Sequence, residues 1–128
     1  MSLSSIKNSL KPIYLPYLHK VKYAYKNLIF KSNGDYVLGK ISEILNQNGY
    51  FFWLDYGTLL GIYRDGKLIK HDVDIDIAMF YSANVKNLMA VLEENGFKFV
   101  RKIFVDEKIP ALEYTFRMKN INIDIFFY

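Results

Sequence analysis

The sequence predicts an α+β fold: one mixed or antiparallel sheet with helices packed on one side, preceded by an N-terminal amphipathic helix. Three observations carry that expectation. Apolar residues recur at helical spacing between positions 17 and 45, and they alternate with period two around 72–77 and again over 112–127. At 128 residues, with 52% hydrophobic and 17% aromatic side chains, the chain has material for one core and too little length for two large ones.

The elements follow in order. Residues 1–16 contain Pro12 and Pro16 and read as an irregular lead-in. Tyr17, Leu18, Val21, Tyr25, Leu28 and Ile29 then form the apolar stripe of a first helix, with Lys20, Lys22 and Lys26 between them. Asn33-Gly34 is expected to break it before a second helix with the stripe Val37, Leu38, Ile41, Ile44 and Leu45, which Gly49 stops. The domain proper is therefore placed at 33–128, behind a basic arm and helix at 1–32. Tyr50 to Asp55, aromatic and apolar throughout, suits a strand buried on both faces, and a short helix should start at Thr58 or Leu59.

The run from His71 to Phe80 is a strand with one acidic face. Ser82 is expected to cap a helix with the stripe Val85, Leu88, Met89 and Leu92, ended by Asn95-Gly96. Phe97 to Val105 reads as a strand, and Pro110 interrupts. Two alternating strands then meet at a tight connection around Lys119-Asn120.

Composition excludes several functions. With no cysteine there is neither a disulfide framework nor a thiolate zinc site, and His19 and His71 are too few for a histidine cluster, so any metal must be held by oxygen. No apolar run reaches the roughly 18 residues of a membrane span and no signal peptide is recognisable. A cytoplasmic protein, or one at the inner face of the cell membrane, is expected. The net charge of +4 is uneven: six lysines and no acids precede Asn33, leaving 11 basic against 13 acidic side chains in the rest. The arm's lysines could contact a membrane periphery, or could be the solvated face of a helix whose Tyr17, Val21, Tyr25 and Leu28 pack on the domain. Nucleic acid is not expected as a partner, because beyond the arm the balance is slightly negative.

Side chains at i and i+2 of a strand share a face, so Asp74 and Asp76 point the same way, with Asp72 joining them if the strand begins that early. Two unit charges about 5 Å apart repel by roughly 3 kcal/mol at an effective dielectric of about 20. A cation should neutralise them, or one should stay protonated. Asp124, isolated in another apolar strand, is the natural third member. A calcium loop is excluded, since its sixth position would be Ile77 and its twelfth Ala83. Oxygen ligands on a rigid sheet suit Mg²⁺ or Mn²⁺ and a phosphoryl-type transfer. The glycine turn Gly57-Thr58-Leu59-Leu60-Gly61 lies between strand and helix, where Gly57, Thr58 and free N–H groups would grip phosphate oxygens. Gly61 equally allows close helix packing. Arg64, Lys67 and Lys70 are spaced to add positive charge at the same rim.

At these residues the chain resembles the LicD and fukutin-related phosphotransferases of the nucleotidyltransferase superfamily. Their pattern is roughly G-[TS]-L-L-G, then R-x-G, then W-D-x-D-[IV]-D, and residues 53–76 follow it closely. The resemblance implies transfer of a phosphorylated alcohol, such as phosphocholine or a polyol phosphate, from a CDP-activated donor to a cell-surface carbohydrate precursor of polysaccharide or lipopolysaccharide type. It makes Asp74 and Asp76 the metal pair, Asp124 the third carboxylate, and Gly57-Thr58 the phosphate turn. Asp72 matches the leading aspartate and Arg64 the arginine of R-x-G. Lys70-His71 stands where the family usually has Pro-Trp, and such enzymes commonly run on beyond the position of Asp124. Two other readings share these residues: a nucleotidyltransferase acting on an NTP, and a non-catalytic nucleotide-binding or regulatory module of the same fold.

Overall fold

The computed structural model describes residues 3–82, 84–104 and 112–128. A helix α1 spans Leu3–Gln47, followed by β1 (Trp53–Leu54), α2 (Tyr56–Asp65), β2 (Asp74–Met79), α3 (Val85–Glu94), β3 (Lys98–Phe104), β4 (Leu112–Met118) and β5 (Ile121–Phe127). The expected α+β architecture is present, as a five-stranded mixed sheet in the order β1-β2-β5-β4-β3. Only β2 and β5 pair in parallel; the other neighbours are antiparallel.

One face of this sheet makes the core. Ile75, Ile77 and Met79 of β2, Ile121, Ile123, Ile125 and Phe127 of β5, and Leu112, Tyr114 and Phe116 of β4 form one cluster with α1 and α3. Helix α1 contributes Phe30, Val37, Ile41, Ile44 and Leu45, and α3 contributes Val85, Leu88 and Leu92. Each buried isoleucine stabilises the fold by about 1.5–3 kcal/mol relative to exposure. Because strand side chains alternate, the residues between these isoleucines project onto the opposite face.

Helix α1 differs from the sequence expectation: it runs unbroken for 45 residues. It passes through Pro12 and Pro16, each of which removes one N–H from the ladder without ending it. Gly34 serves packing and does not break the helix, for a Cβ there would stand 3.0 Å from Leu68 Cδ1 and 3.5 Å from the Phe30 ring. The propensity cost of one helical glycine, about 1 kcal/mol, is smaller than the burial of Phe30 and Val37 on either side. Of the earlier stripe only Ile29 packs against the core, and the expected packing of Tyr17, Val21, Tyr25 and Leu28 on the domain is not observed. Tyr17 is 69% exposed, and Val21, Tyr25 and Leu28 are exposed as well. No helix among the described residues is long and apolar enough to cross a membrane.

Three further expectations are corrected. Strand β1 is two residues long and lies at the sheet edge, half-buried instead of covered on both faces, with Phe51 exposed beside it. Helix α2 starts at Tyr56, earlier than Thr58, because Asp55 caps it by accepting from the Tyr56 N–H at 2.9 Å. The N-cap of α3 is Asn84, with no side-chain cap bond, while Ser82 contributes only its backbone carbonyl to Val85 N–H. The tight β4–β5 connection is as expected: Lys119 and Asn120 both take left-handed backbone angles, the requirement of a two-residue type I′ turn. The break anticipated at Pro110 lies outside the described residues.

Candidate active site

The parallel pairing of β2 with β5 sets Asp76 opposite Asp124 and Asp74 opposite Asn122. Residues in register on neighbouring strands share a face and stand about 4.8 Å apart at the backbone. Asp74, Asp76 and Asp124 therefore lie together on the face away from the core, each half-buried. Among the described residues no ion pair joins any of them. Burial pushes the Asp76 carboxyl up to about 7, and Asp74, Asp124, Asp72 and Asp55 add repulsion in that order. Asp74 is raised first by burial, then by Asp72 and Asp124, with Lys26 of α1 partly offsetting them.

Asp72 precedes β2 in a turn closed by its N–H on the Ile69 carbonyl. Its carboxylate lies against the first turn of α2, where a Cβ on Gly57 would stand 2.7 Å from Oδ2. Gly57 thus admits Asp72, and the carboxylate takes the position next to the helix start that the sequence reading gave to phosphate. Burial raises the Asp72 carboxyl, against a lowering hydrogen bond from the Val73 backbone. Thr58 is fully buried, and its Oγ1 accepts from the Asp76 N–H at 2.9 Å. Its hydroxyl ties α2 to the acidic strand. Gly61 permits close packing, since a Cβ there would meet the Lys67 carbonyl at 2.7 Å.

Helix α1 holds the same segment from the other side. Asn27, buried, donates from Nδ2 to the carbonyls of Lys70 and Asp72 at 2.9 and 3.0 Å, and the Tyr23 hydroxyl donates to the His71 carbonyl. At the far end of the row stands Asp55, whose N–H donates to the Asp76 carbonyl and whose Oδ2 accepts from Tyr128 Oη at 3.1 Å. Hydrogen bonding to Tyr56, then burial and Asp55, pushes the Tyr128 hydroxyl up to about 12. Trp53, Phe80, Tyr128, Tyr56 and Phe126 make an aromatic wall around this end.

Two contributors were invisible in the sequence. Thr115 of β4 is in register with Asp124, fully buried, and donates to Asp124 Oδ1 at 2.5 Å. A β-bulge between Phe99 and Arg101 shifts the pairing so that Arg101, not Val100, lies opposite Thr115, and Arg101 Nε donates to Thr115 Oγ1 at 3.1 Å. Arg64 is not brought to the site. It lies in the last turn of α2, about 10 Å along the helix from Gly57, and its guanidinium forks onto its own neighbour Asp65 at 2.7 Å. Lys67 and Lys70 are exposed beyond that turn. The cations beside the acidic row are instead Lys26 of α1, Arg101 of β3 and, next to Asn122, Arg117 of β4.

Carboxylate oxygens crowded on one face without a cationic partner are a donor set that fits a hard divalent ion such as Mg²⁺ or Mn²⁺. In the present side-chain arrangement no three acidic or histidine groups among the described residues close into a ready-made cage. Asp124 turns Oδ1 to Thr115, which leaves Oδ2 free of that bond.

Residues 49–128 match the sequence family described as LicD/FKTN/FKRP, nucleotidyltransferase domain. The chain is 29% identical over 102 residues to the ribitol-5-phosphate transferase FKTN of Mus musculus, covering 79% of this chain and 22% of that protein. It is 28% identical over 100 residues to the Homo sapiens protein of that name, covering 77% and 21%. An uncharacterized Caenorhabditis elegans protein is 37% identical over 68 residues, covering 52% and 18%. The chain spans about a fifth of the length of these relatives.

Proposed function

This chain belongs to the LicD/FKTN/FKRP family, and on that premise we propose that it transfers a phosphorylated alcohol from a CDP-activated donor to a carbohydrate acceptor. The transferred group is of the ribitol phosphate or phosphocholine type. The observation that carries this reading is the register of Asp76 against Asp124 with Asp74 one step along the same face.

Asp74, Asp76 and Asp124 would hold Mg²⁺ or Mn²⁺, which would supply electrostatic stabilisation of the charge on the phosphate groups. The remaining work belongs to the chain. Thr115 fixes the rotamer of Asp124, and Thr58 fixes the backbone of β2 at Asp76. Gly57 lets Asp72 join the row, so the acceptor hydroxyl meets a carboxylate able to take its proton. Its oxygen attacks phosphorus, the bond to the CMP phosphate breaks, and CMP leaves. The aromatic wall of Trp53, Phe80 and Tyr128 offers a stacking surface to a sugar or base at one end.

The test is product release. The chain would be incubated with Mg²⁺ and CDP-ribitol, CDP-choline, CDP-glycerol or each NTP, and CMP and pyrophosphate measured. CMP from one CDP-alcohol supports the proposal. Pyrophosphate from an NTP, with no CMP from any CDP-alcohol, would replace it with nucleotidyl transfer on the same carboxylates.

A further inference from the structure

One charged feature plays no part in the chemistry above. A cleft of about 540 Å³ opens between α1 and the β4–β5 hairpin, and Asp74 forms part of its wall. Lys22 and Lys26 enter it from α1, one turn apart and so on one helix face, and Arg117 enters from β4. None of the three is ion-paired to a carboxylate among the described residues. Arg117 donates from Nε to Asn122 Oδ1 at 2.8 Å. That bond holds the guanidinium in place with four N–H donors left. It also occupies the amide oxygen of Asn122, so this side chain offers the cleft its donor end. Apart from Asp74, the polar lining is rich in donors: two ammonium groups, the Arg117 guanidinium, the amides of Asn120 and Asn122, and the Tyr25 hydroxyl.

We infer that this cleft binds a phosphate group of the substrate, at a subsite separate from the carboxylate row and sharing only Asp74 with it. A dianionic phosphate has acceptor oxygens alone, which matches a lining with three cations and further donors, and an arginine fork with flanking lysines is suited to hold it. The volume lies in the range of pockets that take a whole small ligand, so the phosphate arrives attached to more than itself. Two sources share this chemistry: the diphosphate of the activated donor, and a phosphate already carried by the acceptor. The inference rests on the proposed transfer reaction, because that reading supplies the phosphorylated substrates. It gives α1, which precedes the matched family segment, a share in substrate binding.

Binding of inorganic pyrophosphate and of ribitol 5-phosphate to the full chain would be measured by calorimetry in EDTA, which removes any metal-mediated route. At least one should bind. Lys22→Gln with Lys26→Gln, and separately Arg117→Gln, should weaken binding by about tenfold per cation removed. Lys31→Gln with Lys67→Gln removes equal charge elsewhere and should leave it unchanged, as should Asp76→Asn. Thermal unfolding checks that each variant is folded. Tighter pyrophosphate binding assigns the site to a diphosphate, as in the donor, and tighter ribitol 5-phosphate binding assigns it to a single terminal phosphate. Equal losses in the cleft and control variants, or no binding in EDTA, overturn the inference. CMP release that survives in the cleft variants and dies in Asp76→Asn would leave the proposed function standing without it.

Discussion

The two faces of strands β2 and β5 use the same backbone for opposite ends. On one, Ile75, Ile77, Ile123 and Ile125 are completely buried and stabilise the fold. On the other, Asp74, Asp76 and Asp124 are half-buried without a cationic partner and work against it. A one-residue step along the chain thus moves from a stabilising environment to an unfavourable one. The core face supplies the stability that lets the acidic face remain unfavourable.

The largest expected effect tests the acidic face directly. Asp76→Asn should lower transfer activity by about 10³-fold or more, since on the proposed reading it removes a charge that holds the cation at the phosphate. It should also abolish any rise in unfolding temperature on adding Mn²⁺. A variant that keeps the wild-type response to Mn²⁺ would show that the ion, if bound, is held elsewhere. The core face should behave in the reverse manner. Ile125→Ala ought to cost about 3 kcal/mol in denaturant unfolding and leave the Mn²⁺ response of the folded protein intact. If it instead removes the response while the chain is folded, the two faces are coupled and the contrast drawn above fails.

The smallest effect is in pH. An acid raised to about 7 in the folded state and near 4 in the unfolded chain binds more protons when folded between those values. Stability then falls as pH rises from about 4 to about 7, and levels off above. With Asp76 partly open to solvent, the loss should be about 1–2 kcal/mol after allowing for screening. The decline should flatten in Asp76→Asn and in excess Mn²⁺. A wild-type curve that rises with pH across that window would contradict the crowding of carboxylates.

Much of this contrast could be read from residue order. The alternation of Asp with Val and Ile at 72–77, and of Ile with Asn and Asp at 121–125, fixes which side chains share a face whatever the rest of the fold does. That β2 and β5 are neighbours, with Asp76 against Asp124, depends on strand order and has no local signature. Thr115 and Arg101 were missed for the same reason. Thr115 is an ordinary polar position in an alternating strand until its register partner is known, and Arg101 reaches the site only through a bulge. Arg64 misled because spacing in sequence was taken as proximity, whereas seven helical residues carry it to the other end of α2. Gly34 misled because glycine marks either a helix end or a close contact, and only the position of Leu68 distinguishes them. Asp55 had a usable signal: an aspartate directly before a helix is a cap.

The strand furthest along the chain is the middle one of the sheet. During synthesis β2 and β4 are both made before their shared neighbour, so each presents an unpaired edge until β5 emerges and slots between them. Its pairing with β2 closes a long loop and belongs to the slow class of folding events. Asp76 and Asp124 cannot face one another before that moment. A partly folded chain that lacks this pairing therefore lacks the juxtaposition of Asp76 with Asp124, and any affinity for a cation that depends on both would need β5 in place.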